Sequence, residues 1–376
     1  MRIQKILHAN VDNKNKGGAF VLTYQAEKYL RNYGYSYDYV TMDEFVNDSK
    51  DYPIPKDVIT YSARLRNNRF IGHIALPFYV NRVLKKSKYS IIHIDTDSAW
   101  KALLYAVPAK KNNVKVLVHS HSTGIDGNHL FLKKICESFS KSILKLFCDY
   151  YVACSTSAAK WIVPSGYEKN VEVIPNGIDM ERFYFDIEER KKIRSDYGFG
   201  DSIVIGNVGL FSENKNQKYL VNLLDHLVAN SIDAKLLLVG NNMTEYGEEV
   251  ERLVHEKTLK DRVVFTGASS NVRQLMNAMD MYIQVSNFEG FGLVSVEAQA
   301  TGLPTFISNT LPKEAFVSDW SFQFDVETGI ELIKQYISDY DFDIRKRLNR
   351  KISKKNGIEY FAESMSIVYG KLTVNK

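Results

Sequence analysis

Two glutamates eight residues apart, Glu289 and Glu297, bracket Gly290-Phe291-Gly292-Leu293-Val294-Ser295-Val296. Carboxylates held in this way can accept hydrogen bonds from sugar hydroxyls. The flanking sequence says how they are held. Met281 to Val285 is apolar on both sides and reads as a buried parallel strand. A short helix starts near Leu293 and is stopped by Gly302 and then Pro304. The loop between strand and helix therefore turns bare N–H groups, a helix N-terminus and Glu289 toward the carboxyl end of a sheet, where open α/β folds bind ligands. A helix start beside glycines suits a phosphate. Glu297 lies within the helix, and the small neighbours Ala298 and Ala300 let it pack close to the sheet. The blander fit is a strand–turn–helix with two solvent-facing glutamates.

Three places upstream could also carry chemistry. Gly17-Gly18 separate a strand at 3–9 from a helix at 19–32, as in a phosphate-cradling turn, although such a pair is often only a turn. The G-x-G-x-x-G fingerprint is absent, which argues against a nicotinamide enzyme. Asp95-Thr96-Asp97 imitates a D-x-D metal motif at the end of the strand Tyr89 to Ile94, but a carboxylate pair at a strand end is common, and no metal is expected. His119 and His121 follow the strand Val114 to Val118. Of the two, only one is expected to face a ligand.

Glu289-x-Phe291-Gly292-Leu293, the second glutamate, and Ala298-x-Ala300-x-Gly302-x-Pro304 resemble the donor-site signature of retaining glycosyltransferases of family four. Pro175-Asn176-Gly177-Ile178-Asp179 resembles the segment that closes the family's first domain. The resemblance covers nearly the whole chain, with its strong motifs between 174 and 304. It implies the α/β GT-B architecture, two doubly wound Rossmann-like domains facing a cleft, in a bacterial capsular or exopolysaccharide-type enzyme. It also implies that Glu289 contacts the donor hexose, Glu297 holds the ribose, and Gly290, Phe291, Gly292 and Leu293 form the donor loop. Gly17 and Gly18 would face the donor phosphates. Lys215 matches the lysine that grips the diphosphate, whereas Leu210 stands where the family has arginine. His121 matches the histidine beside the reacting sugar, with His119 the second choice. GT-B enzymes do not usually need a metal.

The elements that must position these residues alternate β and α. Strands are expected at Ile203–Val208, Ala234–Val239, Val263–Thr266 and Thr305–Ser308, with helices at 218–229 and 246–256. In the first half, 51–75 is poorly patterned, and a helix follows at 76–88. Gly177 is expected to supply a positive φ. Residues 129–151 read as a long amphipathic helix, with Leu130, Phe131, Ile135, Phe139, Ile143, Leu146 and Phe147 at helical spacing and lysines between them. Such a helix either faces the core or lies against an anionic membrane. Basic helix 344–355 and a helix at 357–372 close the chain. The expected domains are 1–178 on the acceptor side, 179–355 for the nucleotide-sugar donor, and 356–376 crossing back to the first.

The 376 residues suffice for two such domains. The net charge of +5 hides an asymmetry, because residues 1–145 hold 23 Lys+Arg against 12 Asp+Glu. A basic first half suits an anionic membrane or a phosphorylated substrate; the cations are too scattered for nucleic acid. Three cysteines without metal or disulfide spacing fit a reducing compartment. With no leader and no membrane-spanning run, the expectation is a cytoplasmic protein at the inner face of the cell membrane. The reading is a metal-independent hexosyltransferase without a cofactor, using a UDP-sugar as co-substrate and a glycan or lipid-linked acceptor. Its rival is a non-catalytic GT-B-like partner subunit; an epimerase of related fold is disfavoured by the form of the signature.

Overall fold

Aliphatic runs such as Ile203–Val208 and Ala234–Val239 are buried on both faces, the condition of parallel strands covered by helices on either side. The computed structural model describes residues 3–11, 18–46, 52–65, 69–124, 130–164, 166, 171–339 and 344–374. They fall into two compact units, 1–178 with 355–376, and 179–354.

In the first unit, β1 (Gln4–Ala9), β2 (Tyr35–Thr41), β3 (Thr60–Ser62), β4 (Ile91–Thr96), β5 (Lys115–Ser120), β6 (Tyr150–Ala153) and β7 (Val171–Val173) form one parallel sheet in the order β3-β2-β1-β4-β5-β6-β7. The order reverses between β1 and β4. Successive strand residues serve opposite faces. Ile6 packs with α1 (Gly18–Leu30) and the C-terminal helix (Ile358–Val374), while Leu7 packs with α2 (Arg69–Lys86) and α3 (Ala99–Lys111). Next come α4 (Leu130–Leu144), packed on α3, and α5 (Thr156–Ile162).

The second unit opens with α6 (Ile187–Asp196). Its sheet holds β8 (Ile203–Val208), β9 (Ala234–Val239), β10 (Val263–Phe265), β11 (Met281–Gln284), β12 (Thr305–Ser308) and β13 (Ser321–Phe324), in the order β10-β9-β8-β11-β12-β13, all parallel. Between them run α7 (Gln217–Ala229), α8 (Glu245–Glu256), α9 (Val272–Ala278) and α10 (Leu293–Ala300); α11 (Gly329–Asp339) and α12 (Ile344–Leu348) follow. Here the order reverses between β8 and β11.

Several expectations are corrected. α2 begins at Arg69 and runs through Pro77, so it takes in residues that looked unpatterned. α4 stops at Leu144, leaving Leu146 and Phe147 in the turn before β6. The helix expected to reach 355 stops at Leu348. No expectation covered α6, which Asp186 caps by accepting the Glu188 and Glu189 N–H groups. Gly177 does not adopt a positive φ; glycine is needed there because a Cβ would lie 2.6 Å from the Gly357 carbonyl oxygen.

Candidate active site

In the second unit the loops that leave β8 and β11 part at the point where the strand order reverses, the place where doubly wound sheets bind ligands. Asn214 ties the two loops together. Its Nδ2 donates to the Phe288 carbonyl at 3.1 Å and its Oδ1 accepts the Phe288 N–H at 3.0 Å. The Asn287 N–H reaches the Asn214 carbonyl at 2.7 Å. This splice brings Lys215 onto Glu289, and the two form an ion pair through Lys215 Nζ and Glu289 Oε1. The same oxygen accepts from Ser286 Oγ at 2.8 Å and from Gln284 Nε2 at 3.3 Å. Gln284 is itself bonded to the Tyr282 hydroxyl. Glu289 is thus held by the side chains of Lys215, Gln284 and Ser286.

Gly292 caps α10 with φ +83°, and a Cβ there would lie 2.8 Å from Leu311 Cδ2, so both conformation and space call for glycine. Phe291 is buried beneath the loop and Leu293 is half-buried. Ser295 closes the first turn with its hydroxyl on the Gly292 carbonyl at 2.7 Å. Glu297 stands one turn further along. Burial pushes its carboxyl up to about 8 against the opposing pull of Arg182. Leu210 is 54% exposed in the loop that carries Lys215.

The first unit gathers a second polar cluster at its own reversal point. Asp95 is the penultimate residue of β4, and strand register sets His8 beside His93 and Asp95 beside His119. His8 Nε2 lies 2.7 Å from Asp95 Oδ2 and His121 Nε2 lies 2.9 Å from Asp95 Oδ1. His93 Nε2 approaches His119 Nδ1 at 3.2 Å, and His93 Nδ1 approaches the Tyr369 hydroxyl at 2.7 Å. Burial pulls the His121 imidazole down, but the Asp95 charge and hydrogen bond outweigh it and lift the group to about 10. Burial, with neighbouring histidines adding to it, lowers His93 to about 4 and His119 well below the usual range. Asp95 resists its own burial because His8 and His121 hold it well below the ordinary carboxylate value. The cluster therefore carries an imidazolium at His121, the least buried of the four histidines, beside a carboxylate.

The expectation that only one of His119 and His121 would face the site does not hold. Residues two apart in a strand share a face, and the two rings lie 4.0 Å apart around Asp95. The two aspartates of Asp95-Thr96-Asp97 meet different partners: Asp95 meets histidines, whereas Asp97 is 54% exposed and pairs with Lys101 at 2.7 Å. Two triads, His8/His93/Asp95 and Asp95/His119/His121, have ligand atoms within 4.8 Å of one another and could hold an ion. Gly17 lies outside the described residues; Gly18 opens α1 with open space around its Cα. Sequence reasoning assigned no role to His8, His93, Tyr369, Ser286 or Asn214. Its available signal was a lone histidine in each of three buried strands, β1, β4 and β5.

Residues 16–182 match the family described as Glycosyltransferase Family 4, and residues 189–355 match Glycosyl transferases group 1. EpsF of Bacillus subtilis, named as a glycosyltransferase, is 26% identical over 83% of this chain and 80% of that protein. The UDP-Gal:alpha-D-GlcNAc-diphosphoundecaprenol alpha-1,3-galactosyltransferase of Escherichia coli is 25% identical, covering 83% of each. Among solved structures, Anabaena HepE in complex with UDP matches with a TM-score of 0.78 at 18% identity, over 98% of this chain and 100% of that one. At that identity the likeness is one of fold.

Proposed function

The chain belongs to the glycosyltransferases of polysaccharide biosynthesis, with a family-four domain and a group 1 domain in a GT-B fold, and from that premise we propose that it moves a hexose-type sugar from UDP to a glycan or lipid-linked acceptor, retaining anomeric configuration. The observation that carries this reading is the Lys215–Glu289 pair at the reversal point of the second sheet, next to the start of α10. A bound nucleoside diphosphate would compete for the Lys215 ammonium and free Glu289 to accept from sugar hydroxyls. The α10 N-terminus adds N–H groups and the positive end of a helix dipole. Together they stabilise the departing diphosphate without a metal or other cofactor.

In the reaction, the bond from the sugar C1 to the phosphate oxygen breaks and its electron pair stays on that oxygen. The acceptor oxygen bonds to C1 on the same face, and its proton passes to the leaving phosphate. Glu297 is assigned to the ribose hydroxyls, Gly290, Phe291, Gly292 and Leu293 to the donor loop, His121 to the reacting sugar, and Gly17 and Gly18 to the donor phosphates. UDP is favoured because HepE was solved with UDP and with UDP-glucose, and the E. coli relative is named for UDP-Gal. The diphosphoundecaprenol in that relative's name supports a lipid-linked acceptor, and with it contact with the inner face of an anionic membrane.

Nucleotide release from a panel of UDP- and GDP-sugars, with and without a membrane lipid extract, tests the reading. Release from one UDP-sugar is expected, unchanged by EDTA. Glu289→Ala should lower it about tenfold to a hundredfold, the worth of hydrogen bonds to a charged group. Equal release by wild type and variant would remove Glu289 from the site, and loss with EDTA would remove the metal-free mechanism.

A further inference from the structure

β11 carries a polar line through an apolar setting. Residues 281–286 are all buried. One face of the strand, Met281, Ile283 and Val285, joins the core shared with α7 and α8. The alternate residues are Tyr282, Gln284 and Ser286. An amide in the middle of such a strand is costly unless both its ends are bonded, and here both are. The Tyr282 hydroxyl donates to Gln284 Oε1. Gln284 Nε2 donates to Ser286 Oγ at 2.7 Å and to Glu289 Oε1 at 3.3 Å, and Ser286 Oγ donates to the same carboxylate oxygen at 2.8 Å. The carboxylate sets the direction of this line. It can only accept, so the one hydroxyl hydrogen of Ser286 goes to it, and Ser286 Oγ must then accept from the amide nitrogen. The amide oxygen is left to accept from Tyr282, whose other acceptor, the Val208 carbonyl, is farther away at 3.4 Å.

Glu289 therefore has supports of two kinds. The Lys215 ammonium is the one for which a bound diphosphate competes. The line from Tyr282 is buried in the sheet, and none of its bonds passes through Lys215. Its last member is also fixed from the next strand, because the Ser286 carbonyl accepts from Thr310 Oγ1 at 2.6 Å and from Ser308 Oγ at 3.3 Å. We propose that Gln284 is a positioning residue for sugar transfer: directly and through Ser286, it keeps Glu289 aimed at the donor sugar once the diphosphate has drawn Lys215 away. Without the amide, the carboxylate would gain rotamer freedom as its cation leaves, and bonds to sugar hydroxyls would have to overcome that entropy. This deepens the transferase reading proposed above and rests on it for the role of Glu289.

Gln284→Met in the full chain tests it, since methionine keeps the length of the side chain and removes both hydrogen-bonding ends. Calorimetry with UDP, which carries no sugar, should give an affinity within about twofold of the wild type. With the UDP-sugar that the donor panel identifies, kcat/KM should fall about tenfold, the worth of a hydrogen bond to a charged group. In the Glu289→Ala background the same substitution should change kcat/KM by less than about twofold, because the amide acts through that carboxylate. Tyr282→Phe, which leaves the amide but removes its anchor, should give an intermediate loss. Thermal unfolding checks each variant, and Tyr282→Phe carries the same cycle if Gln284→Met does not fold. A residue that only fills the strand would weaken UDP binding and turnover together and would add its loss to that of Glu289→Ala. Either result overturns the proposal, as does wild-type kcat/KM in Gln284→Met, and each leaves the transferase reading standing. Absence of release from every donor by the wild type would strike the transferase reading itself, and the proposal with it.

Discussion

At the scale of single residues, the best-determined charge in the first unit is that of Asp95. Its two oxygens are each engaged by a histidine, and the His121 ring owes its raised value to that carboxylate. The sign of the linkage follows. His121 titrates at about 10 in the folded chain against 6.5 ordinarily, so its contribution to stability is complete below pH 6.5 and is lost as pH rises through about 10. Asp95 is depressed below 3.8, so its contribution is present above that value and lost as pH falls through its lower folded value. Asp95→Asn should therefore cost about 3–5 kcal/mol near neutrality, as breaking buried ion pairs does. It should also flatten the dependence of the urea midpoint on pH between 6.5 and 10. Parallel pH profiles for wild type and variant would show that the pair contributes nothing to that slope.

At the scale of elements, one crossing shows how a glycine can matter without an unusual backbone. The Ile178 N–H donates to Asn356 and the Ile358 N–H donates to Ile178, at 3.0 and 2.8 Å, so Gly177 lies flat against Gly357. The groups that a Cβ would meet are backbone atoms, which cannot swing aside. Gly177→Ala should cost about 1–3 kcal/mol by overpacking. Gly370→Ala is the control: it lies within the C-terminal helix, its added Cβ meets nothing closer than the Tyr35 hydroxyl at 4.0 Å, and helix propensity should make it stabilising by up to about 1 kcal/mol. Thermal unfolding of both variants decides it, since equal Tm values would remove the steric argument. This crossing also marks where sequence reading reaches its limit. Short, mostly apolar runs revealed β8 and β9, and the glycine–proline stop revealed α10. β2, Tyr35-Ser36-Tyr37-Asp38-Tyr39-Val40-Thr41, escaped notice because a buried aspartate and serine break its apolar character. α3 escaped for want of a capping side chain of its own, since its cap comes from Glu137 on another helix. Lys215 and Glu289 could each be found from sequence, but their pairing depends on Asn214, whose role exists only once the two loops lie together.

At the scale of the whole molecule, the chain builds its two units in different ways. Residues 179–354 are continuous, whereas the first unit takes residues 1–178 and then recovers 355–376 from the far end of the sequence. The returning helix is no accessory. Phe361, Met365, Val368, Tyr369 and Leu372 are buried in the core that includes α1, and the Tyr369 hydroxyl sits 2.8 Å from that of Tyr37 and 2.7 Å from His93 Nδ1. Without that helix the first unit would expose a large apolar face and leave His93 without its hydroxyl partner, both costly in a protein of ordinary marginal stability. A fragment of residues 179–354 should therefore unfold cooperatively by itself. A fragment of residues 1–178 should not, and should regain cooperative unfolding when a peptide of residues 355–376 is added. Chemical denaturation followed by circular dichroism measures all three. Cooperative unfolding of 1–178 alone, unchanged by the peptide, would mean that β1, β2 and α1 close their core without the last helix. The buried tyrosine pair would then have to be explained by the chemistry around Asp95 and not by folding.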